Sequence, residues 1–121
     1  MVSNTSVLQD VSSAVVGNVA VVYAGDYLNK ISGERIEFES RRHLSNGYKF
    51  LVINFRETRI VNSIGISILI GVIDAAKETD SQVVFAEANE QTKSLFDMLG
   101  LTRHVSIVQT EEEAIASYSV I

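Results

Sequence analysis

Cysteine and proline are both absent from this 121-residue chain. Without cysteine there is no disulfide, no thiolate metal ligand and no cysteine nucleophile. Without proline, turns must come from Gly, Asn, Asp and Ser. Only two histidines occur, His43 and His104, too few for a histidine-based metal cluster, so neither a metal nor a cofactor is expected. No run of about 18 apolar residues exists, so no membrane-spanning helix is expected. Residues 1–10 lack a basic stretch followed by an apolar one, so no signal peptide is read and the cytoplasm is the expected compartment. Lys and Arg form no cluster and are outnumbered, 10 against 15 Asp and Glu, giving a formal net charge of −5. That balance argues against nucleic acid as the main partner and against anionic membrane surfaces. There is no repeat, low-complexity tract or linker, and residues 1–121 are expected to form one domain.

What is present is a succession of short β-branched runs and helical segments. Residues 6–16 and 19–24 are strand-like and joined by Gly17-Asn18, a two-residue hairpin signal. Gly25-Asp26 ends the second run, with Asp26 read first as a turn residue. Residues 31–46 read as a charged helix with Glu37 and Arg41 at i,i+4 spacing and a weak apolar stripe, Ile31/Phe38 and Ile36/Leu44 falling on different faces. Asn46-Gly47 stops it. Residues 49–55 read as a fully buried central strand, and residues 82–86 as another. Asn89 is placed to cap a helix over 90–99 whose expected core face is Leu95, Phe96, Met98 and Leu99, with Gly100 as its left-handed end. Residues 105–108 suit a short edge strand. Thr110 and Glu113 form a capping box opening a last helix through Tyr118, where Glu111, Glu112 and Glu113 serve the helix dipole. His43 and His104 are both expected in solvent. The order β-β-α-β-α-β-α-β-α predicts an α/β sandwich with a mostly parallel sheet.

The most informative stretch is residues 58–77. After a charged turn comes Asn62-Ser63-Ile64-Gly65, then a helix apolar over most of its circumference. Ser63 falls where that helix begins. Its hydroxyl can cap free N–H groups there, and a phosphate would be well held by the same groups and the helix dipole. Ile64, Ile66, Leu69, Ile70, Val72 and Ile73 cover more than one face, against a polar remainder of Ser67, Asp74 and Lys77. Packing on a sheet needs a single apolar stripe. The excess is expected to be partner surface, with Ile66 and Ile70 outward and Leu69 and Val72 inward.

Three segments, taken in order and spacing, resemble a STAS domain of the bacterial anti-sigma factor antagonist type. They are the Gly25-Asp26 loop, Ile60-Val61-Asn62-Ser63-Ile64-Gly65 with Ile68-Leu69-Ile70, and Ser94-Leu95-Phe96-Asp97-Met98-Leu99-Gly100-Leu101 with the strand and helix after it. The resemblance runs from about residue 6 to 118. It implies a STAS-like fold, a mostly parallel or mixed sheet of about five strands with covering helices. In that family the functional serine opens the second helix within Asp-Ser-x-Gly, and this maps onto Ser63. The resemblance implies that a partner anti-sigma factor, itself a serine kinase of the histidine-kinase-like ATPase type, phosphorylates Ser63, and that a phosphatase resets it. The unphosphorylated chain would hold the kinase, and the chain itself would not be an enzyme. Around Ser63, the residues expected to meet the partner are Asp26, Asn62, Ile64, Gly65, Ile66, Ser67 and Ile70. Two positions depart from the family. Asn62 stands where Asp is usual, and Leu28 replaces the second acid of a Gly-Glu-Leu-Asp loop. Both remove negative charge beside the site, as a different partner or a member that is not phosphorylated would.

Other readings fit the residues less well. A hydrolase elbow wants Gly-x-Ser-x-Gly, and Val61 occupies the first glycine position; His104 could be imagined as base, but the chain is short and offers no evident substrate pocket. A phosphoacceptor receiver needs an acidic pair after its first strand, and none is present. No Gly-rich phosphate loop supports nucleotide binding. The remaining alternative is a phosphorylation-independent STAS module acting as a scaffold, which Asn62 favours.

Overall fold

A computed structural model describes residues 11–118 of the chain. The strand-like reading of residues 6–16 is therefore met by β1, Ser12–Val16, while residues 6–10 lie outside the described part, as does the signal-peptide reading of residues 1–10. β1 turns through Gly17-Asn18 into β2, Val19–Tyr23, with Val16 opposite Val19. There follow β3 (Tyr27–Leu28), α1 (Lys30–Ser45), β4 (Phe50–Asn54), β5 (Ile60–Val61) and α2 (Ser63–Glu78). The chain continues through β6 (Gln82–Ala86), α3 (Glu90–Met98), a 3-10 turn (Leu101–Arg103), β7 (Ser106–Val108) and α4 (Glu111–Tyr118).

The main sheet has the order β1-β2-β4-β6-β7. β1 is antiparallel to β2, and every other neighbour is parallel. Residues 49–55 thus supply the middle strand and β7 lies at an edge, as expected. Because side chains alternate along a strand, the sheet feeds two apolar layers. Ala20, Val22, Leu51, Ile53 and Phe85 face a core shared with Ile36 of α1, Leu69 and Val72 of α2, and Phe96 of α3. Val19, Val21, Val52 and Val84 face Ala114 and Tyr118 of α4 on the opposite side. Three helices therefore cover one face and one helix the other. Phe55 meets Phe85 and Phe96 edge to face, and Phe85 lies tilted against Phe96, closing the larger core with ring centroids 5.0–5.4 Å apart. No helix among the described residues is long and apolar enough to cross a membrane.

Caps explain where the helices start. Asn29 and Ser32 form a reciprocal capping box on α1, and Asn89 accepts from Thr92 N–H on α3. On α4, Glu113 N–H donates to Thr110 Oγ1 at 3.0 Å and Glu113 Oε1 accepts from Thr110 N–H, the box read from the sequence.

Three expectations are corrected. β3 and β5, a separate two-stranded parallel sheet, were not read from the sequence, because two residues carry no periodicity. The inward face of α3 is Thr92 and Phe96, one turn apart, with Leu95 half-buried against the core as expected, whereas Met98 is 76% and Leu99 49% exposed. The helix is only nine residues long, so its apolar C-terminal end runs past the core. His43 is buried, its Nε2 3.0 Å from Ser13 Oγ and its ring edge-on to Tyr48. His104 is exposed as expected, with Lys77 Nζ 3.3 Å from its Nδ1.

Candidate functional site

The site is built where the chain leaves β2 and where it leaves β4. Gly25 and Asp26 follow β2, and Thr58 follows β4. Buried Thr58 donates its hydroxyl to Gly25 O at 2.6 Å. Asp26 O accepts from Arg59 N–H (2.8 Å) and Ile60 N–H (3.2 Å), and Leu28 O accepts from Asn62 N–H (2.9 Å). These bonds zip β3 against β5, with Tyr27 opposite Ile60 and Leu28 opposite Val61. The residue after this zipper is the cap of α2, so the zipper fixes where the helix begins.

Asn62, extended at φ −113°, is the N-cap, and its Oδ1 accepts from Gly65 N–H at 3.0 Å. This corrects the reading of Ser63 as the cap. Ser63 is the first helical residue, exposed, and its hydroxyl makes no hydrogen bond among the described residues. Its carbonyl accepts from Ser67 Oγ at 3.1 Å. The N–H groups of Ser63 and Ile64 precede the first intrahelical bond and have no acceptor among the described residues. The first turn of α2 has no acidic residue, whereas α3 and α4 carry Glu90 and Glu111–Glu113 in theirs. The positive end of the α2 dipole is therefore not offset by a carboxylate from its own turn.

Along α2, Ser63, Ile64, Ser67, Ile70 and Asp74 are exposed, with Ile64 at 51% and Ile70 at 42%. Leu69 and Val72 are inward, as expected. Ile66, expected outward, is only 3% exposed and belongs to the core. Gly65, expected at the partner surface, is also buried. A Cβ there would lie 2.7 Å from Leu28 Cγ and 2.9 Å from Leu28 O, so glycine is what lets α2 start against β3. Gly33 of α1 meets the same turn from the other side, where a Cβ would lie 3.0 Å from Ile68 Cδ1. Leu28 is fully buried, so the residue at the second departure from the family loop is a core side chain.

Asp26 is partly buried, and its Oδ1 is enclosed without a hydrogen-bond partner among the described residues. Two apolar residues of the junction escaped the sequence reading. Tyr27 and Ile60 are exposed and opposite each other on the β3–β5 pair. Their exposure follows from a pairing that only the tertiary structure creates. Beyond the junction, at the end of β4, buried Asn54 donates from Nδ2 to Glu111 Oε1 (2.9 Å) and accepts from Arg56 N–H (2.7 Å). Arg56 lies over the Tyr23 ring, whose hydroxyl is pushed up by burial and then by Glu111. No group of three His, Cys, Asp or Glu residues among the described residues is arranged to hold a metal ion.

A family model for the STAS domain matches residues 10–114. Comparison with curated proteins gives no match. Solved structures do match. An anti-sigma-factor antagonist (STAS) domain protein from Planctomyces limnophilus has a TM-score of 0.80 at 13% identity, covering 91% of this chain and 98% of its own. The anti-sigma factor antagonist SpoIIAA matches in its unphosphorylated form, with a TM-score of 0.78, 18% identity and coverages of 92% and 97%. The phosphorylated form, from Bacillus, matches with a TM-score of 0.71, 18% identity and coverages of 89% and 98%. A sulfate transporter family protein from Wolinella succinogenes reaches 0.78 at 9% identity, with coverages of 88% and 89%. Identities this low speak for a shared fold.

Proposed function

The chain belongs to the STAS domain family, and from that premise we propose that it is an anti-sigma factor antagonist working by partner switching. In this reading the unphosphorylated chain binds an anti-sigma factor that is also a serine kinase of the histidine-kinase-like ATPase type. Phosphorylation of Ser63 releases that partner, and a phosphatase restores the binding form. The chain is substrate and ligand, with no catalytic step of its own.

The observation that carries the reading is the division of labour at the start of α2. Asn62 does the capping, so the exposed Ser63 hydroxyl is left for another task. A phosphoryl group adds about −1.5 to −2 charges. On Ser63 it would stand beside free N–H groups and an uncompensated dipole, so the fold tolerates it. A partner packed over Ile64, Ser67, Ile70, Tyr27 and Ile60, with Asp26 and Asn62 at the margin, would have to desolvate the new charge. A cost of about 1.4 kcal/mol lowers affinity tenfold, so one misplaced phosphoryl group is enough to switch binding.

A second reading is favoured by Asn62, which lacks the charge usual before the family's serine. It is a phosphorylation-independent STAS interaction module. The two are separated by using Ser63→Ala and Ser63→Glu chains as baits in native cell lysate, with mass spectrometry of what is retained. An ATP-binding kinase held by the Ala form and lost with the Glu form supports the switch. The same set of proteins on both baits, with no phosphate on the tryptic peptide 60–77 from cells, supports the constitutive module.

A further inference from the structure

The far end of α2 borders a cleft of about 390 Å³ between that helix, the starts of β6 and β7, and the 3-10 turn. Lys77 lies 14 residues after Ser63, about 21 Å away along the helix at 1.5 Å per residue, so the cleft is separate from the site above. Its floor is apolar, with buried Ile73 and Val105 and half-buried Val83. Its rim is basic, with Lys77, Arg103 and His104, and no Asp or Glu lines it.

Acids outnumber bases 15 to 10. Lys30, Arg41, Arg42 and Lys93 are each tied to a glutamate. Lys77 and Arg103 have no carboxylate partner among the described residues. Lys77 donates to Nδ1 of His104 at 3.3 Å, which leaves a proton on His104 Nε2 as a further donor. Ser106 adds a hydroxyl at the edge, while Thr102 Oγ1 is already given to Asp97 at 2.7 Å and Ser81 Oγ is engaged with Thr79. The α2 C-terminus would oppose an anion, but its carbonyls are occupied: Ala76 O accepts from Thr79 and Ser81 N–H, and Lys77 O from Asp80 N–H.

We propose that this cleft binds a small organic phosphate, its phosphoryl group between Lys77, Arg103 and His104 and its apolar body on Ile73, Val83 and Val105. A dianionic phosphomonoester matches two cations, one of them the fork of Arg103, which a single carboxylate would leave half neutralised. The volume falls in the range of small-molecule clefts. The proposal is independent of the role of Ser63.

The test is amide NMR of the full chain titrated with phenyl phosphate. Saturable shifts are expected at residues 76–84 and 102–106, with residues 62–70 unmoved. Inorganic phosphate and benzyl alcohol, which carry only the charge or only the body, should each bind about tenfold more weakly. Lys77→Gln and Arg103→Gln should each weaken binding by about tenfold, and Lys93→Gln should not change it. Raising salt from about 0.1 to about 0.5 M should also weaken it, a readout that needs no variant. Absence of saturable shifts, shifts centred elsewhere, or binding by Lys77→Gln and Arg103→Gln as tight as by the parent would overturn the proposal.

Discussion

At the scale of single residues, two neighbours divide one helix start between them. Asn62 Oδ1 satisfies Gly65 N–H, and Ser63 is left with a free hydroxyl. Removing the cap should therefore cost stability, and removing the serine should not. Asn62→Ala is expected to lower unfolding stability by about 1 kcal/mol, and Asn62→Asp to keep it, since a carboxylate caps as well and favours the dipole. Ser63→Ala is expected within about 0.5 kcal/mol of the parent in urea denaturation. A loss at Ser63→Ala as large as that at Asn62→Ala would mean that the serine has a structural duty. The sequence revealed that a helix begins here, because small polar residues precede a long apolar run. It did not reveal which of two adjacent capping residues does the work. Asn and Ser are near-equal caps, and the choice was made by β5, whose last bond to Leu28 O positions Asn62.

At the scale of elements, the site depends on a close approach that sequence pattern conveys only through one glycine. The β3–β5 zipper and α2 share the space around Leu28, and Gly65 is the point of contact. Gly65→Ala is expected to destabilise by about 1–3 kcal/mol, although alanine is the better helix former, because the added methyl meets the Leu28 carbonyl as well as its side chain. Shortening the neighbour, as Leu28→Ala in the same chain, should not restore stability, since the carbonyl remains. Equal melting of Gly65→Ala and the parent would mean that the helix start shifts freely and is not held by the zipper. The longer elements were legible. Strands 19–24, 49–55 and 82–86 and the helix from Ser63 all form as their apolar content required. Ile66 was misplaced because a helix packed against both the sheet and α1 buries a wider arc than one stripe, which an all-round apolar sequence does not disclose. Met98 and Leu99 were misplaced for the opposite reason, apolar residues that run past the end of the core.

At the scale of the whole molecule, the alternation of strands and helices was enough to predict the mixed sheet, but not how its first hairpin is fastened to the helix layer. The inward stripe of α1 contains Ser32, Gly33, Ser40 and His43 alongside Ile36 and Leu44, so its amphipathic signal is faint and His43 reads as a surface residue. In the folded chain Ser13 of β1 donates to Glu39 Oε1 at 2.8 Å and lies 3.0 Å from His43 Nε2, while Arg42 holds the same glutamate. This polar clasp ties an edge strand whose other side chains, Ser12, Ala14, Val15 and Val16, are exposed. Burial, reinforced by Arg42 and opposed by Glu39, holds the His43 imidazole below its ordinary 6.5. The unfolded chain therefore takes up the proton first as pH falls. The contribution of His43 is complete above about pH 6.5 and is lost below it. The Glu39 carboxyl is held below its ordinary 4.5 by Arg42 and Ser13, so its contribution persists until the pH drops below about 4.5. Urea midpoints measured from about pH 7 to about pH 3 should consequently fall in two steps. In His43→Gln the first step should flatten while the second remains, because glutamine can still donate to Ser13 without titrating. In Glu39→Gln the second step should shrink. A His43→Gln profile parallel to the parent above about pH 5 would show that the clasp does not sense the proton through His43.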